Sequence, residues 1–570
     1  MMPSVKKPIV LAVIGNLFIV IGIALCASWP ILLARIFIKE LHLAPQSKSF
    51  DIWRDSKSMP MYLEIYFFNW TNPQELKIPG KKPNFAQLGP YTFLERREKV
   101  NVVFHDNGTV SYDQMRTWFF EAGKSNGSLH DNITQLNVVA LSAAHKVRHW
   151  TFYWQKALNI FMAGINDVHV TKTVDELLFK GYEDPLIDMG KISPVADIPP
   201  FDKFGWFYMR NHSTAFDGHF NMATGEKDIT TLGVLRNWNY NNVSTFFESP
   251  CNAVEGSAGE FWPPKRTRDE ITLFSADICR PLIYEYDGIV ELHGIEGYQY
   301  SIGEKTLSNS TKRRYPHEQA KYFQTTMAST EDFFAIDAPV NATIEALEDY
   351  GDSDVVNVGQ CFCSGDCTPS GLINVTACRY GAPAYVSLPH FHKADPIYRE
   401  KVTGMDPNDE KHGFRIILEP TTGIPLDVAA RLQINILLQP SQYINLYKDV
   451  PTIYFPMFWF NEHVGITGNL ATPLKIFTQL PTIGFYSGIG LIFLGALLVL
   501  LAGIIHYLDR RKNATPIAIP QANMIPSQKT ELVYLDASVP LDDDNQTRKD
   551  RQLYPKLIGN GVGENQLPNL

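Results

Sequence analysis

Several residue groups in this chain have the types and spacing that chemistry requires. Gly123-Lys124-Ser125-Asn126-Gly127 matches G-x-S-x-G, the turn that presents a serine nucleophile in many hydrolases. That turn needs an apolar strand before it and a helix behind it. Here it lies in a Gly/Asn-rich stretch and overlaps a glycosylation sequon, so no catalytic residue is expected. His145 and His149 stand four apart, and His390 and His392 two apart. Neither pair has the glutamate of H-E-x-x-H, and both read as surface or hydrogen-bonded histidines. Cys361, Cys363, Cys367 and Cys378 are close enough to suggest zinc, but zinc ligands usually come as C-x₂₋₄-C and Cys361-Phe362-Cys363 is C-x-C. No metal and no cofactor is expected.

The cysteines make better sense once the elements around them are drawn. Two long apolar segments, residues 9–34 and 482–508, bracket the chain. A helix rises about 1.5 Å per residue, so roughly 20 apolar residues cross a bilayer core, and both segments are long enough. Asp509-Arg510-Arg511-Lys512 follows the second segment at once, which places its C-terminal side in the cytoplasm. Two spans then put residues 1–8, with Lys6 and Lys7, in the cytoplasm too, although Arg35 and Lys39 flank the far side of the first. Small residues around Ala24 to Ser28 would suit a signal-peptidase site, but apolar signal cores usually run about 7–15 residues. The length favours an uncleaved anchor.

Residues 35–481 are then an exterior domain. Of the seven cysteines, Cys26 falls inside the first span and six lie outside the membrane. An even set in an oxidising compartment reads as a disulfide framework whose connectivity spacing leaves open. N-x-S/T sequons agree: Asn69, Asn107, Asn126, Asn132, Asn211, Asn242, Asn309, Asn341 and Asn374 all lie between the spans, and Asn513 and Asn545 beyond them should stay bare. The net charge of −9 over 570 residues argues against a nucleic-acid partner.

Within the exterior domain, short runs such as Met61-Tyr62-Leu63-Glu64-Ile65-Tyr66-Phe67-Phe68 alternate with Gly, Pro, Asn and Asp turns and read as strands. Residues 138–186 read as a helical cluster, with Leu141, Ala144, Trp154, Leu158, Phe161 and Met162 at helical spacings and Thr173 capping a further helix. Residues 305–357 carry Lys312-Arg313-Arg314 and then an acidic patch, and read as a loop insertion. Residues 509–570 read as a disordered tail, in which Tyr554-Pro555-Lys556-Leu557 has the Y-x-x-Φ form read by clathrin adaptors. Gly484-Phe485-Tyr486-Ser487-Gly488 fits G-x-x-x-G, suited to packing against the first span or another subunit.

Several segments together resemble the class B scavenger receptor family, with its lysosomal integral membrane protein and sensory neuron membrane protein branches. They include Phe68-Asn69-Trp70-Thr71-Asn72-Pro73, Gly89-Pro90-Tyr91, Val174-Asp175-Glu176-Leu177-Leu178 and Gly181-Tyr182-Glu183-Asp184-Pro185. Trp238-Asn239, Cys361-Phe362-Cys363, Pro389-His390-Phe391-His392-Lys393-Ala394-Asp395 and Glu419-Pro420-Thr421-Thr422-Gly423 follow in the same order. The resemblance implies an α+β membrane protein: a large antiparallel β-barrel-like ectodomain with an apical helical bundle, anchored by two transmembrane helices. It implies the disulfides Cys251–Cys361, Cys279–Cys378 and Cys363–Cys367.

Functionally, the resemblance implies a receptor, not an enzyme, that takes up lipids, lipoproteins or lipid-rich particles through a hydrophobic tunnel toward the bilayer. Ligands would be captured at an apex including Phe161, Ala163, Ile165, Val168, Val174, Leu177 and Leu178. The lysosomal branch offers the alternative of a receptor that carries protein cargo on that apex. A cell-membrane protein cycling through endosomes and lysosomes fits both, with Tyr554 and Leu557 as sorting residues; a homo-oligomer is compatible. One departure concerns the ligand. The hairpin Ala163-Gly164-Ile165-Asn166-Asp167 lacks the lysines that some receptors for anionic oxidised lipids carry there, which puts such ligands in doubt.

Overall fold

The structure, a computed structural model, describes residues 6–55, 57, 59–165, 167–192, 200–315, 355–363 and 367–513. Asn341, Asn545, Tyr554 and Leu557 fall outside them, as does most of the 305–357 insertion.

The chain begins and ends in long helices, Lys6–Leu41 and Gly468–Asn513, each long and apolar enough to cross a bilayer. Both exceed the apolar stretches read from sequence. Pro30, Pro473 and Pro481 each remove a ladder donor without ending the helix. Outward-facing Val13, Val20, Phe493 and Leu500 are exposed, as lipid-facing side chains must be. The two helices touch through small residues: a Cβ on Gly15 would lie 2.8 Å from the Gly495 carbonyl, and one on Gly488 3.1 Å from the Gly22 carbonyl. The G-x-x-x-G face therefore packs on the first helix, where Gly484 lies under Trp29. Trp29 Nε1 donates to the Leu480 carbonyl at 3.0 Å, and Phe37 stacks on Phe477 at 5.3 Å. The main compact unit of the chain runs to Gly503; the described part of the second, residues 504–513, is helical throughout.

Between the helices lies a 13-stranded sheet with antiparallel neighbours throughout. Its central path is Thr109–Phe120, Phe85–His105, Met61–Trp70, Ile453–Gly465 and Pro425–Leu438. Period-two alternation builds it: Met61, Leu63, Ile65 and Phe67 are buried while Tyr62, Glu64 and Tyr66 are half-exposed. The sheet curls until its edges nearly meet. Leu235 N–H donates to the Gly256 carbonyl at 2.9 Å on one edge, and Ser257 exchanges backbone bonds with Thr272 and Phe274 at 2.9 Å on the other. Gly256 holds φ +95 with no room for a Cβ, which would lie 2.7 Å from the Thr272 carbonyl. The result is the near-closed barrel that the resemblance implies.

Met61 and Gly465 mark the barrel end nearest the terminal helices, because the chain enters and leaves the sheet there. The helices Val138–Lys146, Phe152–Phe161 and Pro185–Ile192 cover the opposite end. Residues 138–186 are not helical throughout. His169–Thr173 is a strand paired with Asn132–Leu136, since its β-branched valine and threonines complete a ladder before the next helical turn. Thr173 does open that turn: its hydroxyl accepts from Glu176 N–H at 3.3 Å, and the Glu176 carboxylate accepts from Thr173 N–H at 2.9 Å. This is a reciprocal capping box. At the insertion, Lys312–Arg314 pairs with Val355–Asn357, so a short ladder joins its two ends.

Candidate ligand cavity

Strand alternation aims Leu432, Ile434 and Ile436 from one strand, and Phe458 and Phe460 from the next, into the barrel interior. With Trp154, Leu158 and Phe161 from the covering helices and Trp150 from the connection between two of them, they line a cavity of about 1680 Å³. Drug-sized ligands occupy pockets of roughly 300–1,000 Å³, so this one has room for a long chain. Trp154 is 57% exposed and Phe161 66%; the cavity opens beside them. Among the described residues its other end stops at Leu63, Glu95 and Glu462, and no residue of either terminal helix lines it. Leu63, Glu95 and Glu462 form the floor of the chamber.

That floor is charged. Arg97 Nε lies 2.6 Å from Glu95, and its guanidinium also meets Glu462. Arg116 Nε lies 2.7 Å from Asp217 and its Nη1 3.5 Å from Asp277. Arg210 Nη2 lies 2.5 Å from Asp277 and 3.6 Å from Asp217. Arg379 Nη2 lies 3.5 Å from the Asp277 carboxylate and donates to its backbone carbonyl. Burial alone would raise Asp277, but Arg210, Arg116 and Arg379 hold it well below the usual carboxylate range. Burial likewise opposes ionisation of Glu95, yet Arg97 and Arg116 lower it. Glu462 is raised, by burial and by the Glu95 and Asp277 charges, against the pull of Arg97.

The candidate residues from sequence divide. Phe161 lines the cavity, Ala163 is exposed and Ile165 half-buried. Val168, Val174, Leu177 and Leu178 are buried in the core; the turn holding Leu177 and Leu178 is tied to Trp206 and Phe207, whose N–H groups bond the Leu177 and Leu178 carbonyls at 2.8 Å. Ser125 is a turn residue: its hydroxyl donates to the Glu121 carbonyl and accepts from Thr92 N–H, both at 2.9 Å. Among the described residues no group of His, Cys, Asp and Glu could hold a metal ion. His145 Nδ1 lies 3.2 Å from Gln439, while His390 stacks on His412.

Cys251–Cys361 and Cys363–Cys367 are bonded. Cys279 and Cys378 are not; they are adjacent buried thiols on the cavity wall, and pairing with Cys378 pushes Cys279 up. Asn107, Asn126, Asn132, Asn211 and Asn242 are exposed. Asn69, Asn309 and Asn374 are half-buried, and the last two spend their amide N–H on the Thr368 and Cys363 carbonyls.

Sequence reasoning missed the charged floor. Its members come from distant segments, and the available signal was a charge in phase with apolar neighbours: Glu95 after buried Tyr91 and Phe93, and Glu462 after buried Phe458 and half-buried Phe460.

Comparison with known proteins gives this architecture a context. The CD36 family pattern matches residues 13–506. Protein peste of Drosophila melanogaster is 35% identical over 483 residues, which cover 83% of this chain and 78% of that protein. Lysosome membrane protein 2 of Homo sapiens is 30% identical over 495 residues, with coverage of 82% and 91%. Scavenger receptor class B member 1 of Bos taurus is 28% identical over 508 residues, with coverage of 88% and 90%.

Proposed function

Since the chain belongs to the CD36 family, whose members are receptors and not enzymes, we propose that this two-span protein captures lipids or lipid-rich particles and mediates their uptake or transfer through its ectodomain. The observation that carries this reading is the aromatic-mouthed, largely apolar chamber of about 1680 Å³. Each CH₂ moved from water into such a space gains about 0.8 kcal/mol, so the chamber would hold a long-chain ligand without any bond being made or broken. Passage onward to the bilayer requires the charged floor to part. Both termini would be cytoplasmic, with Tyr554 and Leu557 directing endosomal and lysosomal cycling through clathrin adaptors.

The test is uptake of a fluorescent sterol by cells displaying matched amounts of each variant. Ile434→Trp narrows the chamber and should lower uptake several-fold while particle binding at the surface persists. Ser125→Ala should change neither. Loss of uptake in Ser125→Ala with Ile434→Trp still active would overturn the reading and restore a hydrolase. A cargo receptor is the second reading, favoured by one observation: Phe152, Tyr153, Trp154, Ile160 and Phe161 expose an aromatic face on a single helix. A hydrolase co-purifying with the full chain, lost on Tyr153→Ala, would support it.

A further inference from the structure

One buried charge lies away from the chamber and has no ion partner among the described residues. Arg280, the first residue of the strand Arg280–Leu292, is 8% exposed, and its Nε is buried without a hydrogen-bond acceptor. Its guanidinium carbon sits 3.5 Å from the ring centre of Phe362, the residue between Cys361 and Cys363. A ring face offsets part of the cost of taking a cation out of water, but buried charges are ordinarily paired with an opposite charge. Burial, with no carboxylate to oppose it, brings Arg280 down to about 9, which leaves it charged at neutral pH.

Beside Arg280 is a small cavity of about 20 Å³, room for one water molecule or one ion of similar size. Its wall carries two further cations, and both are satisfied elsewhere. Lys305 Nζ lies 2.6 Å from Glu270, and Arg313 Nη1 lies 2.6 Å from Glu255. Counting each with its carboxylate, one positive charge is left over, and it is the buried one. A water in the cavity could accept from Arg280 but would leave that charge uncancelled. A metal cation is repelled, and a phosphate or a carboxylic acid is too large. A single-atom anion meets both requirements.

We propose that this cavity binds one halide ion, chloride being the abundant one in exterior fluids, and that the Arg280 guanidinium holds it. The site is separate from the chamber and does not depend on the lipid-binding reading. Its place in the fold gives it a role. Cys251, Cys361 and Phe362 belong to a small apolar cluster that the Cys251–Cys361 bond closes, whereas Arg280 belongs to the barrel sheet. Residues of both line the cavity. The ion therefore pins the disulfide-closed cluster to the barrel, and the stability of the exterior domain rises with halide.

The experiment is thermal unfolding of the full chain in detergent, over a range of sodium chloride made up to constant ionic strength with sodium gluconate, whose anion is too large for the cavity. The wild-type melting temperature should rise with chloride and level off, as saturable binding to the folded state requires, and bromide should substitute for chloride. Arg280→Met keeps bulk against the Phe362 ring and removes the charge, and its melting temperature should not respond. A wild-type response no different from that in gluconate would overturn the site. An equal response in wild type and Arg280→Met would mean a general salt effect and overturn it too. Wild-type crystals grown in bromide decide the matter even if the variant does not fold. An anomalous peak beside Arg280 is expected, and density there without anomalous signal would make the occupant a water and overturn the proposal.

Discussion

His390 shows how one side chain can hold a protonation state through its neighbours. Its Nδ1 accepts from Asp406 N–H at 3.0 Å, which leaves the proton on Nε2 to be donated to Gln87 Oε1 at 2.8 Å. His412 stacks on it with ring centres 4.3 Å apart, and its own Nδ1 accepts from Asn408 N–H. Charging either ring would break an accepted bond, and charging both would set two cations face to face. Burial lowers both rings to about 4. The sign follows: between about 4 and the usual value near 6.5 the unfolded chain binds more protons, so stability is complete above 6.5 and is lost as pH falls toward 4. For His390 the full loss is about 3 kcal/mol. The melting temperature should therefore fall between pH 7 and pH 5, and the double variant His390→Asn/His412→Asn should flatten that fall. An unchanged pH profile in the variant would show that the pair is not responsible. His145, lowered to about 3 by burial, Arg148 and His149, supplies a residual slope of the same sign. From sequence the two histidines of P-H-F-H looked like a candidate pair, but the ring that matters to His390 is His412, which only the fold brings beside it.

At the scale of elements, the sequence was most legible where a short-range rule suffices. Thr173 and Glu176 were readable as a cap because a capping box is set within four residues. The strand just before it was not, since His169–Thr173 earns its conformation from a ladder to residues 132–136 that spacing cannot reveal. G-x-x-x-G was readable as a contact face but not as to its partner, which the close approach of Gly488 to Gly22 and Cys26 supplies. Gly488→Cys should therefore crosslink to Cys26 within one chain under mild oxidation, because a Cβ built at 488 already meets the Cys26 sulfur. Peptide mapping of the oxidised protein would check it. A crosslink found only between chains would mean that this face serves a second subunit.

For the whole molecule, the two-span frame and a β-rich exterior domain were legible because both follow from pattern, apolar length in one case and alternation with turn residues in the other; closure into a barrel came only with the family resemblance. The chamber floor was not, because its charges converge from segments as distant as Glu95 and Glu462. The frame also makes the glycans a test of orientation. Glycosidase shifts on single sequon variants should show occupancy at the exposed Asn107, Asn126, Asn132, Asn211 and Asn242, less at Asn309 and Asn374, whose amides are engaged, and none at Asn513 or Asn545. A glycan on Asn545 would invert the topology.

The Cys251–Cys361 bond joins chain on either side of residues 316–354, with a sequence separation of 110. A protease cut anywhere in that interval would open the polypeptide without parting it. Such a nicked receptor would run as one species on a denaturing gel and fall into two only when thiol is added. Intactness of this chain, judged without a reductant, is thus a statement about its sulfur bridge and not about its peptide bonds.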